Sequence, residues 1–314
     1  MENPWLNLEV ATTRRIDFTF KFDFFWIIDE KGRYGISIYL KQVVRLPENT
    51  PKISGIELIE TNSTVGNSEI YLILKNNSEW QIFLSLCKDL FENSSRCIDE
   101  DTFISFLIRR LLKWQKFLSQ NNKCSMTEQQ QMGLITELIS LKDFILPHYT
   151  ISESINSWVG PEYDKQDFSL KSLLIEVKSF ISSKGSNVKI SSLQQLDNKN
   201  KQLYLLTFGI TKLEGEILNI PILVETIKKE IEKDPIILEL FEYKLAQYGY
   251  LEGVTESPFY SYAIDSIKCY FVSDEFPKIL SNEVKPEITS AEYSIDLSRC
   301  AKFEIDLLKE LKTQ

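Results

Sequence analysis

Between positions 166 and 178 the chain reads Gln166-Asp167-Phe-Ser-Leu-Lys-Ser-Leu-Leu-Ile-Glu176-Val-Lys178. An acid is followed nine residues later by a second acid, and a lysine stands two positions beyond that. With a turn at Lys171-Ser172, Leu170 pairs with Leu173, Phe168 with Ile175, and Asp167 lies opposite Glu176. Side chains alternate between the faces of a strand. Asp167, Ser169, Leu174, Glu176 and Lys178 then share one face, and Phe168, Leu170, Leu173, Ile175 and Val177 make an apolar stripe on the other. Directly opposed residues have Cβ atoms roughly 5 Å apart. Two carboxylates so close repel unless a cation sits between them or one is protonated. Hard oxygen ligands favour Mg2+, with Mn2+ as a substitute. Such an ion polarises a phosphoryl oxygen and acidifies bound water. Lys178 on the same face is suited to orient that water and to offset charge in the transition state. The chemistry implied is phosphodiester hydrolysis, the cutting of nucleic acid. Lys171-Ser172 is not a strong hairpin pair. If the register slips, Glu162 or Asp164 becomes the second acid.

The flanking elements place further candidates. Thr127-Glu-Gln-Gln130 resembles a capping box opening a helix through Met132, Leu134, Ile135, Leu138, Leu141 and Ile145, ended by Pro147. Glu137 borders the apolar face of that helix, where a partly buried carboxylate needs a partner: a metal or its water shell would serve. After the hairpin and a loop at Ser182–Asn187, Ser191-Ser-Leu-Gln-Gln195-Leu reads as a short helix. Its Gln195 can orient Lys178 or donate to a phosphate. Gln202–Ile210 reads as a strand. His148, the single histidine, follows Pro147 and is read as structural, which leaves no Ser-His-Asp triad to build.

Upstream, alternating segments at Arg15–Asp23, Phe24–Ile38, Ile53–Glu60 and Ile70–Leu74 predict a β-rich module, and the periodicity predicts helices at Trp80–Phe91 and Asp101–Ser119. On the second helix Arg109, Lys113 and Lys116 form a stripe with Arg110 beside it, either a solvated face or a ridge that contacts phosphates. Downstream, helices are expected at Ile217–Lys233 and Pro235–Gln247, and strands at Ile267–Val272 and Ser290–Leu297. The expected division is a β-rich module at 1–95, a connecting helix and linker at 96–124, a catalytic core at 125–232 and an α+β region at 233–314.

Composition sets outer bounds. The chain has 314 residues, 43% hydrophobic and 26% charged, with a formal net charge of −9. That charge argues against non-specific coating of nucleic acid, which needs local lysine and arginine, yet metal-binding acids contribute to it. Five scattered cysteines without a CxxC pair speak against structural zinc and for reduced thiols. There is no signal-peptide pattern after Met1 and no apolar run near eighteen residues, so the expectation is a cytoplasmic protein without a membrane span.

Glu137 on a helix, Asp167, Glu176-Val-Lys178, and Gln195 on the next helix before a strand resemble the PD-(D/E)XK nuclease superfamily. The resemblance implies an α/β (α+β) restriction-endonuclease-like core, a central mixed sheet flanked by helices, and Mg2+-dependent cleavage. Trp80-Gln-Ile-Phe, Gly133-Leu-Ile-Thr-Glu137-Leu, Trp158-Val-Gly-Pro161, Ile175-Glu-Val-Lys178 and Gly249-Tyr250 are similar to stretches of a bacterial family of unknown function assigned to that superfamily. Members often lie beside DNA methyltransferases and ATPases in phage-defence islands. This implies a restriction or defence endonuclease in a bacterial cytoplasm, with DNA as substrate and a homodimer or partner subunits for duplex cleavage. Asp167 and Glu176 would hold Mg2+, the Val177 carbonyl would add a ligand, Glu137 would hold a second metal or a water, and Gln195 would support Lys178. Gln166 stands where the superfamily pattern has proline. The alternative is a non-cleaving DNA-recognition or scaffold subunit of a defence complex. Cleavage of RNA or of single strands is a further possibility.

Overall fold

The computed structural model describes all residues except 1, 17–19, 65, 121–124, 163, 198–200, 216, 257, 286 and 313–314, and the side chains of 96, 120 and 312. The chain forms two compact units, Met1–Cys124 and Ser125–Gln314. Residues 96–124 fall within the first unit and residues 233–314 within the second.

In the first unit, strands β1 (Thr12–Arg15), β2 (Asp23–Ile28), β3 (Tyr34–Leu40), β4 (Ile56–Asn62) and β5 (Ser68–Leu74) form an antiparallel sheet in the order β1-β2-β3-β5-β4. Register explains its buried face. Phe24 pairs with Ile38 and Trp26 with Ile36, while Ile38 and Ile36 pair onward with Ile70 and Leu72. Helices α1 (Trp80–Asn93) and α2 (Glu100–Gln120) cover that face. Phe91 of α1 meets Phe24 and Trp26 with ring centroids 5.9 and 5.8 Å apart, and Phe103 of α2 meets Phe24 at 6.0 Å.

The basic stripe on α2 is not one face. Arg110 and Lys113 are 3% and 6% exposed. They turn inward to Asp89 of α1, at 3.3 and 3.7 Å, and the Trp114 indole donates to the same carboxylate at 2.9 Å. These two cations are part of the interior of the first unit and cannot meet phosphates from solvent. Arg109 is exposed and Lys116 half-buried.

The second unit opens with α3 (Glu128–Ile139), whose capping box is present in both directions between Thr127 and Gln130. The helix does not continue as α-helix to Pro147. It passes into a π-helical stretch, Ser140–Ile145, and α4 (Ile151–Ser157) follows. Next come β6 (Phe168–Ser169), β7 (Leu173–Ile181), β8 (Asn187–Ile190), β9 (Gln202–Leu213), α5 (Ile220–Ile231), α6 (Pro235–Tyr248), β10 (Ser261–Phe271), β11 (Tyr293–Asp296), β12 (Glu304–Ile305) and α7 (Leu307–Lys312). The main sheet runs β12-β10-β9-β7-β6, and β8 and β11 make a separate ribbon. β7 and β9 are parallel, and the other pairs are antiparallel.

This mixed sheet is buried on both faces, so β9 is buried without interruption from Leu203 to Ile210. One face carries Ile175, Val177, Leu206 and Phe208 in a core with Leu134 and Leu138 of α3, Ile227 of α5 and Phe241 of α6. The other carries Leu203, Leu205 and Tyr270 against Ile190 and Ile295 of the ribbon. A mixed α+β core of this kind, with helices flanking a central sheet, is consistent with a restriction-endonuclease-like fold. Among the described residues no helix is long and apolar enough to cross a membrane.

Candidate active site

The β6–β7 hairpin takes the expected register, with Phe168 opposite Ile175 and Ser169 opposite Leu174. Asp167 then leaves the ladder. Its N–H donates to the Ile175 carbonyl at 3.1 Å, while its own carbonyl accepts from Val159 and Gly160 at 2.9 and 3.0 Å. The chain thereby swings away from β7, and the Asp167 carboxylate takes over where the strand stops: Oδ2 accepts the Val177 N–H at 2.7 Å. Asp167 is thus held at the uncovered edge of β7, beside the residues that follow Glu176.

Glu176 is fully buried, in register with Leu205, and Lys178 lies in register with Thr207. Glu176 Oε1 accepts from the Lys178 ammonium. Its Oε2 is buried without a hydrogen-bond partner. Glu137 is 5% exposed. Trp158 Nε1 donates to its Oε2 at 2.7 Å, and Tyr248 Oη donates to its Oε1 at 2.9 Å. Gly160 brings this acid up to the hairpin: a Cβ there would stand 2.8 Å from Glu137 Oε2 and 3.0 Å from Asp167 Oδ1. Glu137, Asp167, Lys178 and Tyr248 line one cleft of about 600 Å³, which Lys189, Ser191 and Gln247 also border.

Three acids share this site with one lysine, and all four ionised would leave a net double negative charge in a dry setting. The pKa values of all three acids rise in response. Burial, then the nearby Asp167, push the Glu176 carboxyl up to about 8, despite the lysine beside it. Glu137 is driven well above the usual carboxylate range by burial and by Asp167, against the two donors that favour its charged form. Asp167 is raised by burial, with Lys178 and the Val177 N–H opposing. Burial works against the Lys178 ammonium, yet Glu176 and Asp167 outweigh it and hold its pKa above the ordinary value.

A divalent cation fits this balance. It would cancel the excess charge and give the orphaned Glu176 Oε2 a partner. Among the described residues no three Asp, Glu, His or Cys side chains are disposed as a ready metal-ligand group. A hard divalent ion can take as few as one or two carboxylates from a protein and complete its shell with water, and Asp167 and Glu176 are the acids that could supply them.

Gln195 stands apart from this group. Residues 191–197 form turns rather than the expected helix, and Gln195 Oε1 accepts the Ser191 N–H at 2.8 Å, closing the turn. Its carbonyl, with that of Gln194, receives the Gln166 amide at 3.1 and 3.2 Å. Gln195 therefore braces the strand end that carries Asp167 and has its oxygen occupied away from Lys178. His148 points Nδ1 to the Phe144 carbonyl at 3.0 Å, a helix-end contact. Glu162 pairs with Lys244 at 2.9 Å, and Asp164 with the Lys165 N–H at 2.7 Å, so neither replaces Asp167.

Sequence reasoning misses Trp158, Gly160, Lys244 and Tyr248. The first two sit in a turn-rich segment before the hairpin, Lys244 lies on the expected helix Pro235–Gln247, and Tyr248 falls just past its expected end. One signal was present for Tyr248. Gly133 precedes Glu137 by one helical turn, and a Cβ at Gly133 would meet Tyr248 Oη at 2.6 Å.

The model of one protein family, described as "Putative PD-(D/E)XK family member, (DUF4420)", matches residues 1–298. No curated protein and no solved structure matches the chain.

Proposed function

We propose, from the premise that this chain belongs to the PD-(D/E)XK family DUF4420, that it is a Mg2+-dependent DNA endonuclease. The observation that carries the reading is the buried Glu176 carboxylate, paired on one oxygen with Lys178 and orphaned on the other, beside a cleft that holds Asp167 and Glu137.

Asp167 and Glu176 would hold the ion, and the Val177 carbonyl is the backbone group nearest in sequence to join them. When bound, a divalent cation supplies a polarised phosphoryl oxygen and a water acidified toward neutral pH. Lys178 keeps its protons, because three carboxyl groups surround it. Its ammonium spends one donor on Glu176 and presents the others to the cleft that it lines. There it orients the attacking water and balances charge gathering on the phosphorus-bound oxygens. Glu137 has an indole and a phenol fixed on its two oxygens, which suits it to hold a water rather than a second ion.

DNA as the substrate, a homodimer or partner subunits for cutting both strands, and a place in a restriction or phage-defence system follow from the sequence resemblance. Incubation of the purified protein with modified and unmodified phage DNA, in Mg2+ or Mn2+, tests the reading. Asp167→Ala should abolish cleavage. Lys178→Ala should lower it by about 10²- to 10³-fold, the usual cost of losing one electrostatic stabiliser of the transition state, with the fold intact by circular dichroism. Equal cleavage by native protein and Lys178→Ala removes the lysine from the mechanism. Absence of Mn2+ binding to the native protein favours a non-cleaving scaffold.

A further inference from the structure

Helix α6 reaches the acidic site at two points one helical turn apart. Tyr248, at its end, donates to Glu137 Oε1 at 2.9 Å and lines the cleft. Lys244 is 1% exposed. Its Nζ donates to the carbonyls of Trp158 and Asn156 at 2.5 and 3.3 Å and pairs with Glu162 at 2.9 Å. The segment it grips, from Asn156 to Glu162, is the one that delivers the Trp158 indole to Glu137 Oε2 and packs Gly160 against Glu137 and Asp167. The Trp158 ring also lies nearly parallel to that of Tyr248, centroids 6.5 Å apart. Both oxygens of Glu137 are therefore governed from α6, one by direct contact and one through the anchored segment.

Burying an ammonium is costly unless it is fully paired, and a leucine or methionine would fill the same helix position without that cost. Lys244 instead spends its donors on three acceptors of one loop. Gly133 supplies the matching clearance on α3, since any side chain there would strike the Tyr248 hydroxyl at 2.6 Å.

We propose that α6 is the positioning element of the site: Tyr248 positions the Glu137 carboxylate, and Lys244 positions the loop that brings Trp158 and Gly160 to it. This deepens the nuclease reading and rests on it for its kinetic consequence. Tyr248→Phe removes a single oxygen and keeps the ring packing. Loss of an outer contact to a ligand-bearing site typically costs about 10- to 100-fold in affinity or rate. The expected result is a fall of that size in kcat and a weaker Mn2+ Kd by calorimetry, with unchanged KM for DNA and unchanged Tm. A crystal structure of Tyr248→Phe without substrate should show the Glu137 carboxylate displaced from Gly160 and Asp167. Native kcat with Glu137 unmoved overturns the proposal and leaves the nuclease reading standing. If native protein neither cleaves DNA nor binds Mn2+, the nuclease reading falls, and the position of Glu137 in the Tyr248→Phe crystal alone decides whether α6 positions it.

Discussion

Each unit of this protein buries a cluster of charges, and each cluster contains a tryptophan that donates its indole N–H to a carboxylate. In the first unit Trp114 donates to Asp89 at 2.9 Å, and two cations, Arg110 and Lys113, share the same acid. In the second, Trp158 donates to Glu137 at 2.7 Å, but three acids gather around the single ammonium of Lys178. The first cluster sets two cations on one acid, so among these groups positive charge is in excess. The second lacks positive charge, raises the pKa values of its acids and leaves Glu176 Oε2 without a partner. The two imbalances have opposite sign, and only the one in the second unit would be relieved by a bound cation.

That contrast can be broken at several points. The largest effect is expected from Asp89→Ala, which removes the acid shared by Arg110 and Lys113. Breaking a buried ion pair from one side costs about 3–5 kcal/mol, and urea denaturation should show a loss of that size. Loss of stability below about 1 kcal/mol would mean that water reaches the cluster and that the two regions do not differ as described. Gly160→Ala acts in the opposite sense. The added methyl meets the ends of Glu137 and Asp167, at 2.8 and 3.0 Å, and the backbone there needs no left-handed conformation. Mn2+ affinity should fall by about 10- to 100-fold with Tm nearly unchanged, and a large drop in Tm with native affinity would make the site structural.

The smallest expected effect is a slope. Glu176 titrates near 8 when folded, against an ordinary 4.5. Between those values the folded protein binds a proton that the unfolded chain has released. Metal-free stability from this group is therefore full below about 4.5 and is lost as pH rises through about 8. Glu176→Gln should flatten the fall in metal-free Tm between pH 6 and 9, and Mg2+ should offset it in native protein. An identical slope in Glu176→Gln would place the titration elsewhere.

Much of the site was legible in the sequence because strand alternation is a local signal. The pairing of Phe168 with Ile175 follows from one apolar stripe, and the Thr127–Gln130 box follows from residue type at fixed spacing. The fold class was legible from the same alternation and from helical periodicity. Two readings failed, and two residues were passed over, for a common reason, that a side chain's role depended on a distant neighbour. Arg110 and Lys113 sit at positions that read as a solvated helix face, and Asp89 on another helix draws them inside. Gln195 reads as a residue of a short helix, able to orient Lys178 or donate to a phosphate, and turns replace that helix, with its Oε1 accepting the Ser191 N–H. Trp158 and Tyr248 draw no functional reading, since a lone aromatic ring is usually a packing residue. They are indeed packed, but each also ends in a donor aimed at Glu137, 21 and 111 residues away.

The shortness of β6 has one more consequence. It pairs with β7 through Phe168 and Ser169, and its departure opens the cleft. A strand stripped of its neighbour is adhesive, since its free N–H and C=O groups invite another chain to add itself. Here the first N–H past the break, that of Val177, is already taken by Asp167, and a charged lysine follows. Asp167 thereby occupies a donor that an added strand would otherwise use. Asp167→Ala, besides losing cleavage, should make the purified protein more prone to form intermolecular β-structure on concentration, whereas Asp167→Asn, which keeps an acceptor oxygen for Val177, should stay monodisperse.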